Sequence, residues 1–108
     1  MQAPAPVTTF LFTDIEGSTQ LWDAQPARMR DALARHDALA RTTIGEHRGT
    51  LVKSTGDGVH AVFGDPLDAL LTAVDLQRGM LAVGADELAL SIRVGLHAGV
   101  VEQRDDDY

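Results

Sequence analysis

Two acidic residues stand where the chain changes direction. Asp14 follows the β-branched and aromatic run at residues 7–13 (VTTFLFT), and Asp57 lies in Thr55-Gly56-Asp57-Gly58 between two further strand-like runs. Singly, each has an ordinary explanation: aspartate caps strand ends, and an Asp-Gly pair builds turns. Brought together they would be more specific, because two carboxylates at close range repel and each would take up a proton unless something neutralised them. A hard divalent cation does so, and carboxylate oxygens are what Mg²⁺ prefers. A pair of such ions can polarise a phosphate, activate a hydroxyl and stabilise a leaving oxygen. Gly17, Ser18 and Thr19 follow Asp14 at the start of a predicted helix, whose backbone N–H groups would form a phosphate site beside the same point.

Whether the two aspartates meet depends on the elements that carry them. Residues 7–13 read as a buried strand, and residues 14–19 as a turn opening a short helix through Trp22. Pro26 suits the first turn of a second helix, in which Met29, Leu33, His36, Ala40 and Ile44 recur at helical spacing and Gly49 is the expected stop. Residues 51–54 and 59–63 read as strands joined by a hairpin at Asp57-Gly58. Asp65-Pro66 matches a helix start, Leu70, Ala73, Val74, Gln77 and Leu81 would form its inner face, and Gly84 would end it. A last strand is expected over residues 90–101, with Gly95 and Gly99 as bulges or points of close approach.

The order β-α-β-β-α-β predicts an α+β fold of ferredoxin-like type, with helices on one face of an antiparallel sheet. In that topology the first strand lies antiparallel beside the third, so its end, with Asp14, adjoins the start of the third, next to Asp57. Residues 1–6 are expected to be a disordered lead-in and residues 7–108 a single domain.

Composition narrows the function classes. The net charge of −7, with 16 acidic against 9 basic residues, argues against a nucleic-acid binder, which needs a basic face. An acidic chain can still take a nucleotide whose phosphates are screened by metal ions. The absence of cysteine excludes thiolate metal sites and disulfides. No apolar run approaches the length of a membrane span and no signal peptide is visible at the N-terminus, so a cytoplasmic location is expected.

The segments FLFTDIEGST, LVKSTGDGVHAVF and IRVGLHAGVVE, in this order, are similar to the catalytic domain of class III adenylate and guanylate cyclases over about residues 7–108. The commonest family form has Phe where Ser18 stands, and EGST looks like a bacterial branch. The resemblance implies that Asp14 and Asp57 hold two Mg²⁺ or Mn²⁺ ions with the carbonyl of Ile15 as a further ligand. It implies that Lys53 reads the purine together with Asp107, a pairing that selects adenine and hence ATP. The implied reaction is attack of the ribose 3′-oxygen on the α-phosphate, giving cyclic AMP and pyrophosphate. The implied assembly is a head-to-tail dimer of two copies or with a cyclase partner, each site combining metal aspartates from one protomer with base-reading residues from the other.

The family's ribose-orienting asparagine and phosphate-stabilising arginine would fall past Tyr108. The chain is therefore expected to be the front of such a domain, a fragment or truncated gene product with its C-terminal part missing. It would be inactive or nearly so alone, since loss of one transition-state donor costs on the order of 10²-fold or more.

Competing readings are a non-catalytic nucleotide- and metal-binding regulatory module and, more remotely, a haloacid-dehalogenase-type phosphatase, whose D-x-D-G-T motif residues 14–19 resemble. That second fold needs a parallel sheet. A P-loop is excluded, because no G-x-x-x-x-G-K-[ST] occurs. His36, His47, His60 and His97 show no metal-ligand spacing and are expected to be structural, Trp22 is expected to be a core or interface anchor, and Met29 and Met80 are expected to fill the core.

Overall fold

The computed structural model describes residues 7–84 and 86–100. Strand β1 (Val7–Ile15) leads into a short helix α1 (Ser18–Ala24) and a long helix α2 (Pro26–Glu46). A hairpin of β2 (Thr50–Thr55) and β3 (Gly58–Phe63) follows, then helix α3 (Pro66–Leu81) and strand β4 (Ile92–Val100). The four strands form one antiparallel sheet in the order β2-β3-β1-β4. This is the expected ferredoxin-like arrangement, with its first helical segment broken in two where Pro26 occupies the first turn of α2.

Alternation along β1 decides which face is covered. Thr9, Leu11, Thr13 and Ile15 are buried, whereas Phe12 between them is exposed. The buried set joins Met29, Ala40 and Ile44 of α2, Val59, Ala61 and Phe63 of β3, and Leu76 of α3 in one core. The other face of the sheet carries Phe10, Phe12 and His60, with the Phe12 and His60 rings edge to face at 4.9 Å.

Helix α3 starts as the sequence predicts: Asp65 caps it by accepting a hydrogen bond from the Leu67 N–H (2.9 Å), with Pro66 in the first turn. Its inner face differs from the expected one. Ala69, Thr72 and Leu76 point inward with Asp68, whereas Leu70, Val74 and Leu81 are exposed. Apolar residues surround most of this helix, so periodicity allows two faces. The smaller face wins because it lets α3 approach α2 closely: a Cβ on Gly79 would fall 2.5 Å from Leu39. The helix ends at Leu81 rather than at Gly84.

Helix α2 buries the expected positions Met29, His36, Ala40 and Ile44, but the residue that reverses the chain at its end is Arg48 rather than Gly49. Arg48 adopts φ 61, with Gly49 N–H bonding the Ile44 carbonyl at 2.8 Å and Arg48 N–H the Gly45 carbonyl at 3.2 Å, a Schellman closure. Its guanidinium pairs with Asp68 (3.0 Å), and that hydrogen bond and charge push its pKa further above the usual arginine value. Gly49 instead lies against the Phe63 ring, where no Cβ would fit. In β4, Gly95 and Gly99 create neither a bulge nor a close approach: the β1–β4 register runs unbroken from Val7↔Val100 to Ile15↔Ile92, and a Cβ at Gly95 would meet nothing within 4 Å.

His36 is wholly buried. Its Nδ1 lies 3.0 Å from the Asp37 carboxylate, while Nε2 has no partner among the described residues. A buried polar atom left unsatisfied costs about 1–3 kcal/mol. Replacing His36 by leucine is therefore expected to raise stability by about 1 kcal/mol, seen as a higher urea midpoint at unchanged slope. A lower midpoint would show that the imidazole contributes more than its packing.

Candidate metal and nucleotide site

The segments that carry the two aspartates adjoin. Strand β1 pairs with β3 in the register Thr9↔Phe63 to Phe12↔His60, and beyond it the Ile15 N–H donates to the Asp57 carbonyl oxygen at 2.9 Å. The contact is close because residue 58 is glycine: a Cβ there would overlap the Thr13 carbonyl oxygen. The Val59 N–H donates to the Thr13 hydroxyl (2.9 Å), so both sides of the Thr13 residue are tied to the start of β3. Asp57 is one of the two turn residues, Gly56 and Asp57, that connect β2 and β3. The sequence predicts Asp57-Gly58 at this turn, but Gly58 already belongs to β3, where it pairs with Thr55. The Asp57 carboxylate accepts a hydrogen bond from the Thr55 hydroxyl at 3.0 Å, which fixes it at the hairpin tip.

Asp14 alternates with the buried Thr13 and Ile15, so it points to the face of the sheet opposite the helices. There it meets Arg93, its cross-strand partner in β4, in an ion pair between Arg93 Nη2 and Asp14 Oδ2. Arg93 escaped sequence reasoning. The signal that finds it is the β1–β4 register, since an isolated arginine in a strand looks like any solvated residue.

Lys53 reaches the same face by an irregularity. Leu51 pairs with Ala61, but Lys53 pairs with His60, so Val52 is an extra residue in β2. By strict alternation Lys53 would share the inward face of Leu51. The bulge turns it outward, into the row of His60 and Phe12, where it is exposed. It stands two strands and two residues from Asp14, roughly 12 Å from the usual strand spacing and rise.

Gly17 adopts the left-handed conformation (φ 68) and starts α1 with no side-chain cap. Ser18 and Thr19 form the first turn, immediately after Ile15 and Glu16. The Glu16 N–H is already used by the Ser91 carbonyl (2.8 Å). Asp107 lies outside the described residues, as do residues 1–6.

Residues 2–106 match the adenylate and guanylate cyclase catalytic domain family. The chain belongs to this family. It is 36% identical over 107 residues to a protein of Mycobacterium tuberculosis, covering 97% of this chain and 35% of that one. It is 40% identical over 74 residues to a receptor-type adenylate cyclase of Trypanosoma brucei brucei, covering 68% of this chain and 6% of that one. Among solved structures, an adenylate cyclase from Trypanosoma brucei in its monomeric state superposes with a TM-score of 0.86 at 27% identity, over 96% of this chain and 61% of that one. The guanylyl cyclase Cya2 shares the fold, with a TM-score of 0.77 at 24% identity over 92% of this chain and 57% of that one. The cyclase domain described here thus spans about a third of the length of its mycobacterial relative. The antiparallel sheet and the family match together remove the haloacid-dehalogenase reading.

The donor set fits a hard divalent cation brought in with phosphates. Among the described residues no group of three or more acidic or histidine side chains converges, so no all-protein cage is formed. Mg²⁺ dehydrates reluctantly and is commonly held by one or two carboxylates plus substrate phosphates. Asp14 and Asp57 are both solvent-accessible, and the Ile15–Asp57 hydrogen bond brings the backbones that carry them near one another.

Because Gly58 packs against the Thr13–Asp14 peptide, Gly58→Ala is expected to cost about 1–3 kcal/mol, the range for overpacking a tight contact. Gly56→Ala, where a Cβ would meet nothing within 4 Å, is expected to change stability by less than about 0.5 kcal/mol. Thermal denaturation of the two variants side by side checks this. Equal effects would mean that the β1–β3 contact at Gly58 is looser than the geometry requires.

Proposed function

We propose that this chain supplies the metal-binding and purine-reading part of a class III adenylate cyclase site, acting on ATP in the cytoplasm. The observation that supports the reading is the junction of β1 and β3, where the backbone of Asp57 bonds that of Ile15, next to Asp14. The carboxylates of Asp14 and Asp57, with the Ile15 carbonyl, would hold Mg²⁺ or Mn²⁺. When bound, the ions supply charge neutralisation at the phosphates and lower the pKa of the attacking hydroxyl. Gly17, Ser18 and Thr19 would offer backbone N–H groups to the phosphates, and Lys53 would accept the purine, with Asp107 as its partner. The partner is a second copy or another cyclase domain, arranged head to tail so that Lys53 serves the aspartates of the opposite protomer. The acidic surface disfavours nucleic acid, and no helix among the described residues is long and apolar enough to cross a membrane.

The chain covers 61% of the matching Trypanosoma brucei adenylate cyclase structure, so the rest of such a site would come from outside these 108 residues. On its own the chain is expected to bind ATP with Mn²⁺ and turn it over poorly. A second reading is a nucleotide- and metal-binding regulatory module.

Titration calorimetry with Mn²⁺ and ATP is expected to show binding that Asp14→Asn or Asp57→Asn weakens at least about tenfold, the effect of removing one charged metal ligand. A chimera continuing past Tyr108 into the matching part of the Trypanosoma brucei domain is expected to form cyclic AMP and to lose on the order of 10²-fold or more on Asp14→Ala. ATP binding with no turnover in the chimera would favour the regulatory module. Turnover that survived Asp14→Ala would remove the metal assignment.

Lys53→Ala separates the base from the metal. It is expected to weaken ATP binding about 10- to 150-fold while leaving binding of Mn²⁺ alone unchanged, because a buried-on-binding charged hydrogen bond is worth roughly 1.5–3 kcal/mol. Loss of both together would place Lys53 among the groups that support the metal.

A further inference from the structure

We propose that the cavity between α2, the end of α3 and residues 86–91 is a binding site for a small uncharged, largely apolar molecule, and that its occupancy steadies the chain beside Gly17. The cavity measures about 160 Å³. Protein interiors hold few spaces larger than a water molecule, whereas an apolar cavity of about 150 Å³ takes benzene. Its walls are Ala32 and Leu39 of α2, Met80 of α3, and Val83, Leu88 and Leu90 of the connection to β4. Ala32 and Leu90 are buried, so the inner end is closed. The two helices cannot fill the space by moving together, because Gly79 already lies against the Leu39 side chain.

The outer end sets the class of ligand. There Arg35 Nε meets the Glu87 carboxylate at 2.8 Å, and Arg35 Nη2 donates to the Leu88 carbonyl at 3.4 Å. The groove just outside adds Arg28, Asp31 and Asp86. A charged ligand would give up its hydration to sit beside a pair that is already neutralised. An uncharged one gives up far less, and an acceptor oxygen on it can share the Arg35 guanidinium, whose five N–H donors exceed the acceptors Glu87 and Leu88 provide. The volume limits the ligand to roughly six to eight heavy atoms.

Residues 88–91 divide two spaces. Leu88 and Leu90 face the cavity, while Ala89 and Ser91, alternating with them, line the open groove beside Glu16 and Gly17. The Ser91 carbonyl accepts from the Glu16 N–H at 2.8 Å, and Ile92 pairs with Ile15. A molecule packed against Leu88 and Leu90 therefore steadies the segment that holds the turn into α1, without touching that turn.

The test uses the full 108-residue chain, with methyl groups labelled for nuclear magnetic resonance, and 1-pentanol as the probe. Saturable shifts are expected at the methyls of Leu39, Met80, Val83, Leu88 and Leu90, with a dissociation constant of about 1 mM, and Glu16 amide exchange is expected to slow at least about threefold at saturation. Butanoate and pentylammonium, of equal size, are expected to bind at least about tenfold more weakly. Ala32→Leu, which fills the inner end, and Val83→Phe, which fills the outer, are each expected to weaken 1-pentanol binding at least about tenfold in a folded chain. Shifts that do not saturate, or that centre on the exposed Leu70 and Leu81 of α3, would overturn the site, as would undiminished binding in either folded variant. Equal binding of the charged probes would overturn the class of ligand. Binding that leaves Glu16 exchange unchanged would overturn the link to the Gly17 turn.

Discussion

The contact on which the site depends is the approach of the Gly58 backbone to the Thr13–Asp14 peptide. Strands usually diverge past their last ladder pair, and a side chain at position 58 would force them apart. Its absence lets the pairing of β1 and β3 continue to the hairpin tip, where the Ile15 N–H takes the Asp57 carbonyl and the Thr13 hydroxyl takes the Val59 N–H. The two aspartates are thus placed by backbone hydrogen bonds rather than by their own side chains. That arrangement leaves the carboxylates able to move a little as charge arrives, while their Cα positions stay fixed by a sheet whose inner face is packed.

A second constraint acts on Lys53. The two-residue period of a strand would bury it beside Leu51, where an ammonium has no place. One additional residue, Val52, changes the parity and delivers the lysine to the outer face in the row of His60 and Phe12. The bulge lies in β2 on one side of β3, and the close glycine contact is made with β1 on the other. Phe12 and His60 lie between Lys53 and Asp14, giving that face an aromatic floor bordered by charge at two corners.

The element order and the adjoining of the segments that carry Asp14 and Asp57 were legible because they rest on strong local signals: a β-branched run, an Asp-Pro helix cap, a glycine-rich hairpin. What was not legible depended on distances between elements. The inner face of α3 could not be chosen from periodicity, since Leu70, Val74 and Leu81 repeat as regularly as Ala69, Thr72 and Leu76. Only the need to bring Gly79 against Leu39 decides between them. Arg48 reversing α2 ran against residue preference because Gly49 was claimed by the Phe63 ring. The Lys53 bulge and the Arg93 pair are both matters of register, which a single strand's sequence does not contain.

The division of labour between the two faces of the sheet follows from these constraints. Core residues of β1 alternate with residues of the open face, so Thr13 and Ile15 bind the strand to the helices while Asp14 between them stands half exposed beside Arg93. A change at Asp14, Lys53 or Arg93 alters charge on a solvent-exposed surface and leaves the packed face untouched, whereas a change at Gly58 touches both, because it holds the strand that carries the one and borders the other. In this cyclase domain, changes at Asp14 and at Gly58 should therefore differ in kind: the first leaves a folded chain of ordinary stability, the second a chain whose scaffold has opened.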